Sequence, residues 1–167
     1  MRVKPSRQIA LAFLLTSSLM FSACGAGTLS KLHESLNKVA KSLNTAAHTN
    51  RALYEGGVYG APGTPQAIEM RAKVAKAVHD SNEKLILALN LAKQLKAETF
   101  ESGKLAVLQA LSQAASGLRV GHQTIDLILQ ATATLITQAV VLIEAFQAKD
   151  LNYVVPRIQS WQIAEAV

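Results

Sequence analysis

One cysteine and four histidines give this 167-residue chain its widest chemical reach. Cys24 has no second cysteine with which to close an intrachain disulfide, so its sulfur is left with a partner thiol, a metal, a nucleophilic role or a covalent attachment. Among the histidines His33, His48, His79 and His122, two stand four residues before a carboxylate: His79 before Glu83 and His122 before Asp126. In a helix that spacing sets imidazole and carboxylate on one face, where they can share a metal. The Glu-x-x-His pattern of di-iron bundles is missing at all four histidines, as is the zinc-protease motif. Pairs of this kind arise readily in helical sequence, so the histidines are read as solvated or helix-end residues and no metal site is assigned. There is no C-x-x-C-H for haem, no Gly-rich phosphate loop and no G-x-S-x-G elbow. The expectation is therefore a protein with no catalytic residues and no cofactor, not an enzyme.

The surroundings of Cys24 decide among its four roles. Arg2, Lys4 and Arg7 form a positive start, and residues 9–21, IALAFLLTSSLMF, follow as thirteen uncharged, mostly apolar residues. As a helix this run rises about 20 Å at ~1.5 Å per residue, short of the roughly 30 Å of a hydrocarbon core. It reads as an export signal, with an uncleaved anchor as the alternative. An ordinary cleavage site wants small residues of the A-x-A kind, and Phe21 occupies the first of those positions if the cut falls before Cys24. The stretch Phe21-Ser22-Ala23-Cys24-Gly25 instead resembles the lipobox of bacterial lipoproteins: a bulky apolar residue, two small ones, then an obligatory cysteine. Phe21 stands where that pattern most often has Leu. The resemblance implies removal of residues 1–23, a lipid on Cys24, and tethering to a membrane, since two or more acyl chains suffice for stable anchoring. It further implies the periplasmic face of the outer membrane in a two-membrane bacterium, or the outer face of the cell membrane in a one-membrane one. It names a processing class and no fold family.

Three of the 17 basic residues precede Cys24, which leaves 14 against 11 acidic ones, a net +3 over residues 24–167. That charge is ordinary, and an aromatic content of 5% offers few rings on which bases could stack, so nucleic acid is not an expected partner.

The remaining 144 residues are enough for one domain with a real core. After a short Gly-Ala-Gly linker at 25–27, Thr28 is placed to cap a helix with Leu29, Leu32, Leu36, Val39, Leu43, Ala46, Asn50 and Leu53 in unbroken three-four spacing. Lys31, Glu34, Lys38 and Lys41 repeat that rhythm on the opposite face. Residues 55–66, EGGVYGAPGTPQ, stop the helix, and Tyr54 and Tyr59 are available to pin this loop or to form a contact surface. Thr64 as N-cap and Pro65 at the first helical position open a second helix, expected to reach about residue 98 with Ile68, Ala75, Val78, Asn82, Leu85, Leu89 and Ala92 inward. A break is expected at Glu101-Ser102-Gly103. A third helix over 104–119 should bury Leu105, Leu108, Leu111, Ala115 and Leu118 and stop at Gly121, and a fourth should cover 122–148. Residues 127–143 are uncharged, but Gln130, Thr132, Thr134, Thr137 and Gln138 make them too polar for a ready membrane span. A helix buried on most sides of a bundle accounts for the same letters. Val154 and Val155 before Pro156 disfavour helix there, with a last short helix over 157–166 and Trp161 docked on the bundle.

The fold expected is all-α: an antiparallel four-helix bundle over 28–167 with a short extra C-terminal helix or tail. Gly117 and Gly121 form a G-x-x-x-G, a weak hint of close helix packing outside a membrane. The function expected is that of a lipid-anchored, non-enzymatic structural or interaction module of the cell envelope. Its contact face is assigned to the helices of 104–148, where Arg119, Asp126 and Glu144 are the only charges between Lys104 and Lys149. A second reading is a carrier that holds a metal ion or a small apolar ligand between its helices.

Overall fold

The computed structural model describes residues 25–163; residues 1–24, which hold the expected signal segment and Cys24, and residues 164–167 lie outside them. Five α-helices follow one another: α1 (Gly25–Glu55), α2 (Pro65–Lys93), α3 (Phe100–Ser116), α4 (Gln123–Glu144) and α5 (Leu151–Gln159). Two 3-10 turns, Ala97–Thr99 and Ala148–Asp150, precede α3 and α5. No strand occurs among the described residues. The first four helices form an antiparallel ring in which α1 packs on α2 and α4, and α3 packs on α2 and α4, while α5 lies against α2. The four-helix bundle with an extra C-terminal helix is thus the observed architecture.

The heptad stripe of α1 is the backbone of the core. Leu29, Leu32, Leu36, Val39, Leu43 and Ala46 are all buried, Val39 and Leu43 completely, while Leu53 is half-buried. Lys31, Glu34, Lys38 and Lys41 face water, and Lys38 meets Glu34 at 2.6 Å. α1 already begins at Gly25, so Thr28 does not cap it and no linker separates the helix from residue 24. Extending an established helix by one turn costs little once the Leu29–Leu32 contacts hold the nucleus.

Packing against loops moves several other boundaries. In α2 the expected cap is present, with Thr64 Oγ1 accepting from the Ala67 N–H at 3.4 Å and Pro65 at the first position. The buried stripe, however, runs Ala67, Val74, Val78, Ser81, Asn82, Leu85, Ala88, Leu89 and Ala92. Ile68 is 50% exposed and Ala75 is exposed, a correction to the expected stripe. The loop sets this phase: Tyr59 is buried beneath it, and Gly60 (φ +115) lets the chain turn back onto Ala67. Asp80 pairs with Lys76 at 2.7 Å on the exposed side of the helix.

α2 stops at Lys93, not near 98, and the break lies at 94–99 instead of at Glu101-Ser102-Gly103. Gly103 sits inside α3 for a packing reason. A Cβ there would stand 2.8 Å from Leu95 Cδ2, so the glycine admits the neighbouring turn. Phe100, buried at the start of α3, fixes that helix's rotation and turns Val107, Ala110, Leu111 and Ala114 inward, leaving Leu105 55% exposed. α4 is shorter than 122–148 and is buried along one stripe only, Ile125, Leu129, Thr132, Ile136, Ala139, Leu142 and Ile143, which corrects the expectation of burial on most sides. Its last turn is held by Lys104, whose Nζ donates to the carbonyls of Glu144 (2.7 Å) and Phe146 (2.8 Å), a cation at a helix C-terminus.

Pro156 does not prevent helix at its own position, since α5 runs through it. The ring costs one hydrogen bond to the carbonyl of Asn152, but both residues are exposed, whereas Leu151, Val154 and Ile158 are buried on the inner side. Trp161 docks as expected: it is buried, stacked on His33 with centroids 4.6 Å apart, and its carbonyl accepts from Lys93 Nζ at 2.7 Å.

Candidate interaction surface

The seam between α1 and α4 has more polar contacts than an apolar heptad implies. Ser35 Oγ donates to the Leu135 carbonyl at 3.1 Å, and one turn-pair further on Ser42 Oγ and Thr132 Oγ1 lie 2.6 Å apart. Thr132 is completely buried and is bonded also to the Ile128 carbonyl at 2.9 Å, so both hydroxyls are satisfied inside the contact. These bonds fix α4's rotation on α1. They leave Leu127, Gln130, Ala131, Thr134, Thr137, Gln138 and Val141 on the outer face.

That face is exposed, contains no charge, and keeps its hydroxyls occupied. Thr134 Oγ1 donates to the Gln130 carbonyl at 3.0 Å and Thr137 Oγ1 to the Ala133 carbonyl at 3.0 Å. A threonine bonded back to its own helix turns its methyl outward, and covering it does not strand a donor. Leu127 (62% exposed) and Val141 (45%) add large apolar groups near the two ends of the face. Alongside runs a groove of about 560 Å³, with Lys31, Glu34, Ser35 and Lys38 on the α1 bank and Thr134, Thr137, Gln138 and Val141 on the α4 bank. A partner seated there meets a water-shedding wall on one side and a charged edge on the other.

Among the described residues α4 is the one helix long and apolar enough to cross a membrane by length and composition, with 33% of its most apolar stretch buried. A span would carry the adjoining Lys31, Glu34 and Lys38 of α1 toward hydrocarbon, at a cost of several kcal/mol by the usual range of about 2.5–3.5 kcal/mol per central charge. A protein contact surface fits the same composition without that cost.

The histidine pairs do not converge on a shared centre. His79 Nε2 lies 3.4 Å from Glu83 Oε1, with both side chains exposed. Asp126 turns away from His122 and accepts the backbone N–H groups of Val120 (2.8 Å) and Gly121 (3.0 Å), tying the α3–α4 connection to the start of α4. The His122 ring instead meets Tyr59 edge-on at 5.0 Å, with its Nδ1 buried and unpartnered. No group of three or more His, Cys, Asp or Glu side chains among the described residues is placed to hold a metal. A void of about 20 Å³ lies in the apolar interior between Leu32, Leu85, Leu111, Phe146, Ile158 and Trp161, roughly the room one water needs. Asn50, in the α1 seam, is spent within the chain: its amide donates to the Arg71 carbonyl (3.0 Å) and its Oδ1 accepts from Tyr59 (3.1 Å). Burial raises the Tyr59 pKa above the ordinary tyrosine value, keeping the phenol protonated as that donor.

The charge-poor run over 104–148 was visible in the sequence, whereas the roles of Ser35, Ser42 and Thr132 in aiming it were not. Their signal is present in the letters: Ser35 and Ser42 stand seven apart beside the heptad stripe. The chain matches no protein-family model, no curated protein and no solved structure.

Proposed function

We propose that this protein is a lipid-anchored structural or interaction module of the bacterial cell envelope, held to its membrane through Cys24, and that the outer face of α4 is its contact surface. A second copy of the chain is the occupant we assign to that face. The observation that carries this reading is the combination, on the outer face of α4, of exposure, absence of charge and back-bonded threonine hydroxyls. A surface meant for water normally displays charge, as the neighbouring α1 does with Lys31, Glu34, Lys38 and Lys41. The same composition on α4 lowers the desolvation cost of association. The heptad Asn50, by contrast, gives no support to pairing between copies, because both ends of its amide are engaged within the chain.

The anchor reading rests on the lipobox-like Phe21-Ser22-Ala23-Cys24. It gains physical sense from α1 starting at Gly25, which sets the bundle directly on the tether. Gly25 after the cysteine lacks the Asp that resembles an inner-membrane retention signal, which favours the periplasmic face of the outer membrane in a two-membrane bacterium. The second reading, a carrier for a metal or a small apolar ligand, draws less support from an interior void of about 20 Å³.

Two experiments test the proposal separately. Cys24→Ala should leave an unprocessed precursor; cleavage and release of that variant at normal mature size contradicts the anchor. Gln130→Lys combined with Gln138→Lys should abolish self-association in sedimentation while the helical spectrum stays unchanged. A strictly monomeric parent protein contradicts the contact surface.

A further inference from the structure

At the end of α1 opposite to Gly25, an open crevice of about 310 Å³ separates α1 from α2. His48 and Arg51 line it from α1 and Arg71 from α2, with Asn50 and the short side chains of Ala47 and Ala75 between them. No carboxylate lines it.

The cationic groups are held in place by neutral or weak partners. Arg71 lies over the Tyr54 ring at 4.7 Å, and the Tyr54 hydroxyl is itself fixed by the Gly63 N–H at 3.0 Å. The Arg71 backbone is tied to α1 through Asn50, which is 4% exposed and gives one of its two amide hydrogens to the Arg71 carbonyl. Arg51 meets Glu55 at 2.8 Å, but the two side chains are 72% and 59% exposed, a water-screened pair that exchanges readily. A guanidinium on each bank, one of them stacked and so short of rotational freedom, is an arrangement that receives a planar or tetrahedral anion by forked hydrogen bonds. Ala47 and Ala75 leave the depth; larger residues there would fill it.

We propose that this crevice is a binding site for the phosphate or carboxylate group of a small anionic ligand. Arg71 and Arg51 take the anion from opposite banks, His48 adds an imidazole donor, and the alanine floor accepts the ligand's non-polar part. At about 310 Å³ the space is at the lower end of the usual range for ligand pockets, roughly 300–1,000 Å³, which limits the ligand to a small molecule. The same chemistry could be offered by a lipid headgroup. Arg51, however, stands 26 residues along α1 from Gly25, about 39 Å at ~1.5 Å per residue. Under the anchor reading, on which only this choice of source rests, the crevice faces away from the protein's own membrane, so a soluble anion is the source assigned.

The test is titration of inorganic phosphate into full-length protein in neutral detergent, at constant ionic strength, followed by calorimetry. Saturable binding is expected, weakened at least tenfold by Arg71→Gln and by Ala75→Leu, which fills the crevice and leaves every charge in place. Arg119→Gln, the same charge change outside the crevice, should leave the affinity unaltered. No saturation, or equal affinity in the parent and the Ala75→Leu variant, overturns the proposal. Should Arg71→Gln lose its helical spectrum, the occluding variant alone decides. A parallel arm compares phosphatidylglycerol with phosphatidylcholine vesicles, which a lipid anchor enters alike: equal binding supports the soluble source, an excess on phosphatidylglycerol that phosphate displaces keeps the site but assigns it to headgroups, and an excess without phosphate saturation overturns the site.

Discussion

Two adjacent helices, α1 and α4, bury similar aliphatic stripes and pack on each other, yet they present different chemistry to the outside. α1 displays Lys31, Glu34, Lys38 and Lys41, with its carboxylate held below the usual range by the Lys38 ammonium beside it. α4 displays Leu127, Gln130, Ala131, Thr134 and Gln138. Core burial therefore explains half of each helix and leaves the difference unexplained. What differs is the free energy of removing the outer face from water: high for the lysines and glutamate, lower for uncharged side chains among which the threonine hydroxyls are already bonded to their own helix. The inside of this bundle specifies the fold, and the outside of α4 is where a contact can form.

The largest effect expected comes from erasing the distinction between the two faces of α1. Leu36→Asp places a charge at a position 5% exposed and should cost more than about 3 kcal/mol, enough to unfold a marginal domain. Lys38→Asp, at a side chain 57% exposed, should cost less than about 1 kcal/mol. Coincident denaturation curves for the two variants would mean that the heptad face is not the buried one.

A smaller effect probes the seam that aims α4. Thr132→Val leaves the Ser42 hydroxyl without its cross-helix partner and should cost about 1–2 kcal/mol, whereas Ser42→Ala with Thr132→Val should recover most of the loss. A double variant as unstable as the sum of the singles would show that the hydroxyl pair does not act as a unit.

At the far end, Tyr59 joins Asn50 of α1 to His122 at the start of α4. Its folded pKa is raised, so the stabilisation is complete below the unfolded tyrosine value of about 10 and is lost as pH rises through the folded value. Stability measured across alkaline pH should fall beyond that point, and Tyr59→Phe should flatten this part of the profile; an unchanged profile would remove Tyr59 from the clamp.

The smallest effect is also informative. Thr134→Val and Thr137→Val should each alter the stability of the isolated chain by less than about 0.5 kcal/mol, because the lost bond is local and the methyl surface is unchanged. A loss well beyond that value would give these hydroxyls a structural role that a contact face does not require.

Much of the fold was legible because the heptad of α1 is uninterrupted and Thr64-Pro65 marks a helix start without ambiguity. The errors fall where a neighbour, not the local sequence, selects the answer. Gly103 looks like a breaker but is a packing notch for Leu95, and Ile68 has the right character for the core but the wrong phase once Gly60 settles beside Ala67. Pro156 argues against helix locally and loses to the burial of Leu151, Val154 and Ile158. The proposed contact face was legible as a scarcity of charge over 104–148, but its direction depends on Ser35 and Ser42 meeting residues about ninety to a hundred positions away. The Arg51–Arg71 crevice was not legible, since it depends on two alanines that meet across an interhelix gap.

The central claim, that the outer face of α4 meets the same face of a second copy, is tested most directly by cysteine cross-linking of the full-length protein in its membrane. Cys24 is the chain's single native cysteine, and its sulfur is acylated under the anchor reading, so Thr134→Cys supplies one free thiol at the middle of the face. The account predicts a disulfide-linked dimer for Thr134→Cys under mild oxidation and monomer for Lys41→Cys on the charged face of α1. Monomer at Thr134, or equal dimer at both positions, would contradict it.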